Sequence, residues 1–143
     1  MFYEIKSFSL LLIPVLLLAA CSNDRTEYDN IEERIDYLIE DDRYEDALEA
    51  LEDEDRNDPE IRTLLEKTHL NYGLHNMNTF DETEMRTRMN DALRQFTEVL
   101  KINENNDMAR NQINQILQIY DTIPDRQPEE DVLEGLREVG YEI

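Results

Sequence analysis

The sequence predicts an all-α fold of about five to six helices, stacked as antiparallel pairs over residues 28–143 and preceded by a removable leader. Three observations point there. Apolar residues recur at i, i+3/i+4 and i+7 in successive stretches from Asn30 onward. Residues that start or stop helices separate those stretches. Carboxylates fill the faces that the apolar stripes leave open.

Residues 7–18 form an apolar run long enough for a signal-peptide core and short of the roughly 20 residues a membrane-spanning helix needs. Residues 1–20 are therefore expected to be a cleaved leader. It closes on Leu18-Ala19-Ala20-Cys21, which resembles a bacterial lipobox: an aliphatic residue, two small residues and a cysteine. The resemblance implies thioether lipidation of Cys21 and cleavage between Ala20 and Cys21. Cys21 is the only cysteine, so no intramolecular disulfide can form. Residues 21–27 are polar and without periodicity, as expected of a lipidated tether. Ser22 directly after the cysteine resembles lipoproteins that move on to the outer membrane, so the expected location is the cell envelope, lipid-anchored.

Residues 28–143 are enough for one domain with a modest core. Glu4 and Lys6 cancel within the leader, so the mature chain keeps the whole formal charge of -21, from 35 acidic and 14 basic residues. Such an excess repels nucleic acid and anionic headgroups. It also predicts tolerance of high ionic strength, where repulsion between carboxylates is screened.

Asn30 with Glu33 offers a cap and its reciprocal partner, and Ile31, Ile35, Leu38 and Ile39 share one face, predicting a first helix to about Asp41. Asp42-Arg43 makes a tight turn. Tyr44, Ala47, Leu48 and Leu51 line a second helix ending near Asp55. Asp58-Pro59 opens a third, with Ile61, Leu64, Leu65, Thr68 and Tyr72 as its stripe, to about Leu74. Residues 75–83 read as a loop in which Asp81 or Thr83 caps the fourth helix, carried by Met85, Met89, Ala92, Leu93, Phe96, Val99 and Leu100. A fifth helix from Asp107 turns Met108, Ile113, Ile116, Leu117 and Tyr120 inward and stops before Pro124. Pro128-Glu129-Glu130 opens the last helix, where Val132, Leu133, Leu136 and Val139 form a narrow apolar edge and Gly140 is the stop.

Tyr28, Leu38, Tyr44, Ala47, Leu51 and Pro59 together resemble a tetratricopeptide repeat, a helix-turn-helix unit of 34 residues in which the small residue lets two helices approach closely. Asp91-Ala92-Leu93-Arg94-Gln95-Phe96 echoes Asp46-Ala47-Leu48-Glu49-Ala50-Leu51 farther along than one repeat length, which puts an insertion at residues 75–83. Arg34, Ile35 and Glu54 depart from the family's pattern. The resemblance implies a right-handed stack with units near 28–61, 62–106 and 107–143, the last helix capping it. It also implies a partner groove on the first helix of each unit: Asp29, Glu32, Asp36 and Glu40, then Glu66 and Leu70, then Asn111, Gln115 and Gln118.

Chemistry is sparse beside this. His69 and His75 do not share a helix face, so no metal pair is expected. Gly73, Gly135 and Gly140 are scattered, giving no phosphate loop, and no serine or cysteine has the neighbours of a nucleophile. Paired acids such as Glu32-Glu33 and Asp41-Asp42 sit on solvent faces, whereas acid/base catalysis needs two differently buried carboxylates. Residues 53–58 lack the glycine and ligand spacing of a calcium loop. No catalytic residue, metal or cofactor is expected. The expected function is a lipid-anchored interaction or scaffold module that binds a basic or polar segment of another envelope protein. The alternative is a permanent structural subunit of an outer-membrane complex, docked through residues 136–143.

Overall fold

A computed structural model describes Tyr28 and residues 30–79 and 82–143. The leader, the tether with Cys21, and Asp29 lie outside the described residues. Among the described residues every regular element is a helix: α1 (Ile31–Glu40), α2 (Tyr44–Ala50), α3 (Pro59–Asn78), α4 (Met85–Ile102), α5 (Asp107–Asp121) and α6 (Glu130–Glu138).

Local chemistry sets most of the boundaries. Asn30 Oδ1 accepts from the Glu33 amide at 2.8 Å, Asp58 Oδ1 from Glu60 at 2.8 Å and Asn106 Oδ1 from Ala109 at 2.8 Å. Each satisfies a donor that the first helical turn leaves open. Pro59 occupies the first turn of α3, where no amide proton is needed. α6 ends in a Schellman motif: the Gly140 amide bonds Arg137 O at 3.1 Å and the Tyr141 amide bonds Leu136 O at 3.0 Å, with Gly140 at φ 93°.

Three boundaries differ from the sequence expectation. α3 runs on through His75 to Asn78, so most of the expected loop is helix and the α3–α4 connection is short. Asn76 explains this: it is 1% exposed and its Oδ1 accepts from Arg88 Nη1 at 3.0 Å, so a residue read as loop-forming is held inside the fold. Thr83 does not stand at the cap of α4, where Glu84 sits without a side-chain cap bond, and the other candidate, Asp81, lies outside the described residues. α2 ends at Ala50 and continues only as turns. On α5 the inward residue of the first turn is Ala109, fully buried, while Met108 is 51% exposed.

Two apolar cores share α3. The smaller joins Ile35 and Leu38 of α1, Ala47 of α2, Leu51, and Ile61, Leu64 and Leu65 of α3. The larger is built from α4, α5 and α6, with Leu70, Leu74 and Met77 of α3 packed on it. At 20 residues, α3 is about 30 Å long, enough to serve one core with its first half and the other with its second. α4 lies along α3 and carries both α5 and α6 against it. α3 and α4 pack tightly at Gly73, where a Cβ would stand 2.5 Å from Phe96 Cε1.

Candidate functional site

Helical spacing puts Glu32, Asp36 and Glu40 on one face of α1. Glu32 and Glu40 are exposed, and Asp36 is partly so. Lys67 Nζ of α3 reaches Asp36 Oδ1 at 2.5 Å, so this acidic face adjoins α3. Tyr37 is 43% exposed on the same helix, its ring 5.6 Å from that of Tyr28. On α3, Glu66 accepts from Asn103 Nδ2 at 2.8 Å and Asn106 Nδ2 at 2.7 Å, which ties it to the α4–α5 connection. Leu70 is half-buried against the larger core. Asn111, Gln115 and Gln118 are exposed along one face of α5. The structure thus joins Asp36 to Lys67 and Glu66 to the start of α5, and it gives Glu66 and Leu70 structural partners of their own.

A second constellation forms where the α1–α2 turn meets α3. The amides of Asp42 and Arg43 close α1 on Ile39 O at 3.2 Å and Leu38 O at 2.8 Å, and Asp42 takes φ 56°, a left-handed position that aspartate tolerates. Its carboxylate then accepts from Tyr44 Oη at 2.9 Å and lies 3.3 Å from His75 Nδ1. The Tyr44 ring stacks on Tyr72 with centroids 5.1 Å apart and tilts against His75 at 5.2 Å. Tyr72 Oη donates to Glu45 Oε1 at 3.1 Å, and Arg43 pairs with Asp46 at 2.6 Å. These groups and Arg88 line a cleft of about 260 Å³. Each of these polar groups finds a partner within the cluster or beside it, so its main work is clamping α2 to α3.

Burial first, and then the hydrogen bond to Asp42, pushes the Tyr44 hydroxyl up to about 12. The folded state therefore holds the Tyr44 proton more tightly than the unfolded chain, whose tyrosines titrate near 10. That contribution is complete below about pH 10 and is lost as pH rises towards 12. Tyr72 shifts in the same direction through burial and then through Glu45. Alkaline unfolding followed by circular dichroism should begin in this window. Tyr44→Phe should make the stability profile flatter there, and an unchanged profile would remove the assigned role.

The two histidines serve different contacts. His69 Nδ1 lies 2.8 Å from Gln95 Oε1, and burial lowers its affinity for a second proton. No group of three or more His, Cys, Asp or Glu able to hold a metal occurs among the described residues. None of the described helices is long and apolar enough to cross a membrane.

α6 is held by polar ties at both ends. Arg94 on α4 meets Asp91 at 2.9 Å, Glu129 at 2.6 Å and Asp131 at 2.9 Å, and Lys101 bridges Glu98 at 2.9 Å and Glu138 at 3.3 Å. Burial opposes the charge on Arg94, but its bonds to Glu129 and Asp131 outweigh this and raise its pKa. Asn90 Oδ1 accepts from the Glu129 amide at 3.1 Å and from Tyr120 Oη at 3.3 Å. Between these ties Val132 and Leu136 are buried, and Val139 and Tyr141 pack on the larger core. Val132, Leu136 and Val139 of the α6 edge are thus spent inside the fold, while Leu133 stays partly exposed and Ile143 is 46% exposed.

No protein-family model, curated protein or solved structure matches this chain. Its functional reading therefore rests on its own side chains. Apolar spacing puts Tyr44 and Tyr72 on buried stripes and does not group them with Asp42 and His75. The available signal is Tyr72 and His75 three residues apart on one helix, facing the tyrosine just after the turn.

Proposed function

We propose that this chain is a lipid-anchored interaction module of the cell envelope, tethered through Cys21, which holds a basic or polar segment of another envelope protein along its helices. The observation that carries this reading is the acidic face of α1, where Glu32 and Glu40 are exposed and only Asp36 is met by a lysine. Negative potential there steers a basic segment to the surface, and the neighbouring Tyr37 offers apolar contact. The helices are read as a tetratricopeptide-like stack whose partner surface includes Asn111, Gln115 and Gln118 on α5. Leu136 lies inside the fold, which favours α6 as the cap of that stack over α6 as a plug in a larger complex.

Crosslinking from the anchored protein in intact cells, with identification of what is attached, tests the reading. Glu32→Lys with Asp36→Lys is expected to abolish the main crosslinked partner while preserving helix content. An unchanged crosslinking pattern overturns the assignment of the α1 face. Fatty-acid labelling that survives Cys21→Ala overturns the anchor.

A further inference from the structure

Apart from the acidic α1 face, the start of α4 meets the end of α5 around a cleft of about 290 Å³. Its walls come from Met85, Met89, Tyr120 and Ile123, and Arg86 and Arg126 also line it. Among the described residues neither arginine has a carboxylate within ion-pair distance. Arg43, Lys67, Arg88, Arg94, Lys101 and Arg137 are paired, and what sets Arg86 and Arg126 apart from the other arginines outside those pairs, Arg34, Arg56, Arg62 and Arg110, is that they line this cleft together. Two like charges converging on one cleft repel each other, and an anion between them relieves that repulsion.

The hydrogen-bond inventory leans the same way. Each guanidinium offers five N–H donors and no acceptor. Tyr120 Oη points its proton at Asn90 Oδ1, and Asn90, fully buried behind that wall, keeps an Nδ2 donor without a partner. Glu82 is the only carboxylate among the described residues lining the cleft. Burial raises the Tyr120 hydroxyl's pKa, Arg86 and then Arg126 oppose that shift, and Glu129, itself paired with Arg94, adds to it, so both arginine charges and one carboxylate are felt at this wall. Met85 and Met89 supply an apolar surface that adapts to an irregular guest. The volume stands at the small end of the range for ligand pockets.

We propose that this cleft binds a small amphiphilic anion, with a carboxylate or phosphate headgroup held by Arg86 and Arg126 and a short apolar chain lying against Met85, Met89, Tyr120 and Ile123. The site shares no residue with the α1 face, so it stands or falls independently of the partner proposed above. Headgroup chemistry and apolar wall are both required: the arginines alone would hold any anion, and the methionines alone any short chain.

The test is calorimetric titration of the full chain with octanoate, octyl phosphate, octylammonium and inorganic phosphate, each below any micelle-forming concentration. The expected result is saturable one-site binding of octanoate or octyl phosphate and none of octylammonium. Arg86→Gln and Arg126→Gln should each weaken the anion about tenfold, the loss expected for one charge-assisted hydrogen bond, while Arg34→Gln on α1 leaves it unchanged. Tighter octyl phosphate would mark a phospholipid-like headgroup as the guest, and tighter octanoate a fatty acid; both support the site. Absence of saturation with either anion overturns the proposal. So does equal binding of octylammonium, equal binding of inorganic phosphate, or indifference to both arginine substitutions. The arginines are exposed, so helix content of the variants should match the parent and a loss of binding can be read as loss of contact.

Discussion

Phe96→Ala is expected to lower the unfolding free energy by about 3–5 kcal/mol, a large part of what a domain of this size has to lose. Phe96 of α4 is fully buried, its ring filling the space above Gly73 of α3. The complementary change is Gly73→Ala. In an ordinary helix interior that substitution stabilises by about 1 kcal/mol, because alanine restricts the unfolded chain. Here the new methyl would stand 2.5 Å from Phe96 Cε1, closer than carbon atoms tolerate. Overpacking of about 1–3 kcal/mol should cancel or reverse the propensity gain. In the Phe96→Ala background the same methyl enters a cavity, so Gly73→Ala should become stabilising. Denaturant unfolding of the four proteins gives the coupling directly, and a value of at least about 1 kcal/mol is expected for residues in such contact. Independent, additive effects would show that the close approach of α3 to α4 does not exist in solution.

Thermal stability should rise steeply with salt. With a net charge of -21, folding brings carboxylates together that the unfolded chain keeps apart. Screening shortens the reach of that repulsion from about 30 Å at 0.01 M to about 3 Å at 1 M. The ion pairs that salt would weaken are mostly exposed, such as Arg43 with Asp46 and Arg137 with Glu130, and exposed pairs contribute little to stability. Relief of net repulsion should therefore win, with an increase in Tm of roughly 10 °C between about 0.01 and 1 M NaCl. Calorimetric scans at fixed pH decide it. A flat or falling Tm would mean that specific pairs such as those of Arg94 outweigh the general field.

Much of the helical framework is legible in the sequence because its signals are local. A cap acts across two or three residues, as Asp58, Asn30 and Asn106 show, and a glycine stop acts within the last turn, as at Gly140. Apolar spacing likewise finds the buried faces of α1, α4 and α6, including Ile35, Leu93, Phe96 and Leu136. The differences arise at residues whose local preference is overruled from outside the segment. Asn76 and Asn78 read as loop, but burial of Asn76 and its bond to Arg88 continue α3 past His75. Met108 and Ala109 are adjacent, and only docking on α4 decides that the smaller one faces inward.

The candidate sites divide in the same way. The exposed acids of α1 are visible in sequence because a helix face repeats along the chain. The tyrosine–histidine cluster unites Asp42, Tyr44, Tyr72 and His75, and the arginine cleft unites Met85 and Arg86 with Ile123 and Arg126. Sequence alone determined that the chain forms acidic amphipathic helices and where most of them start. Tertiary structure alone decided which helices meet, and so which side chains share a cleft. The reason is range: hydrogen-bonded turns and helix periodicity act over a few residues, whereas packing of α4 on α3, α5 and α6 is settled by shape across the whole fold.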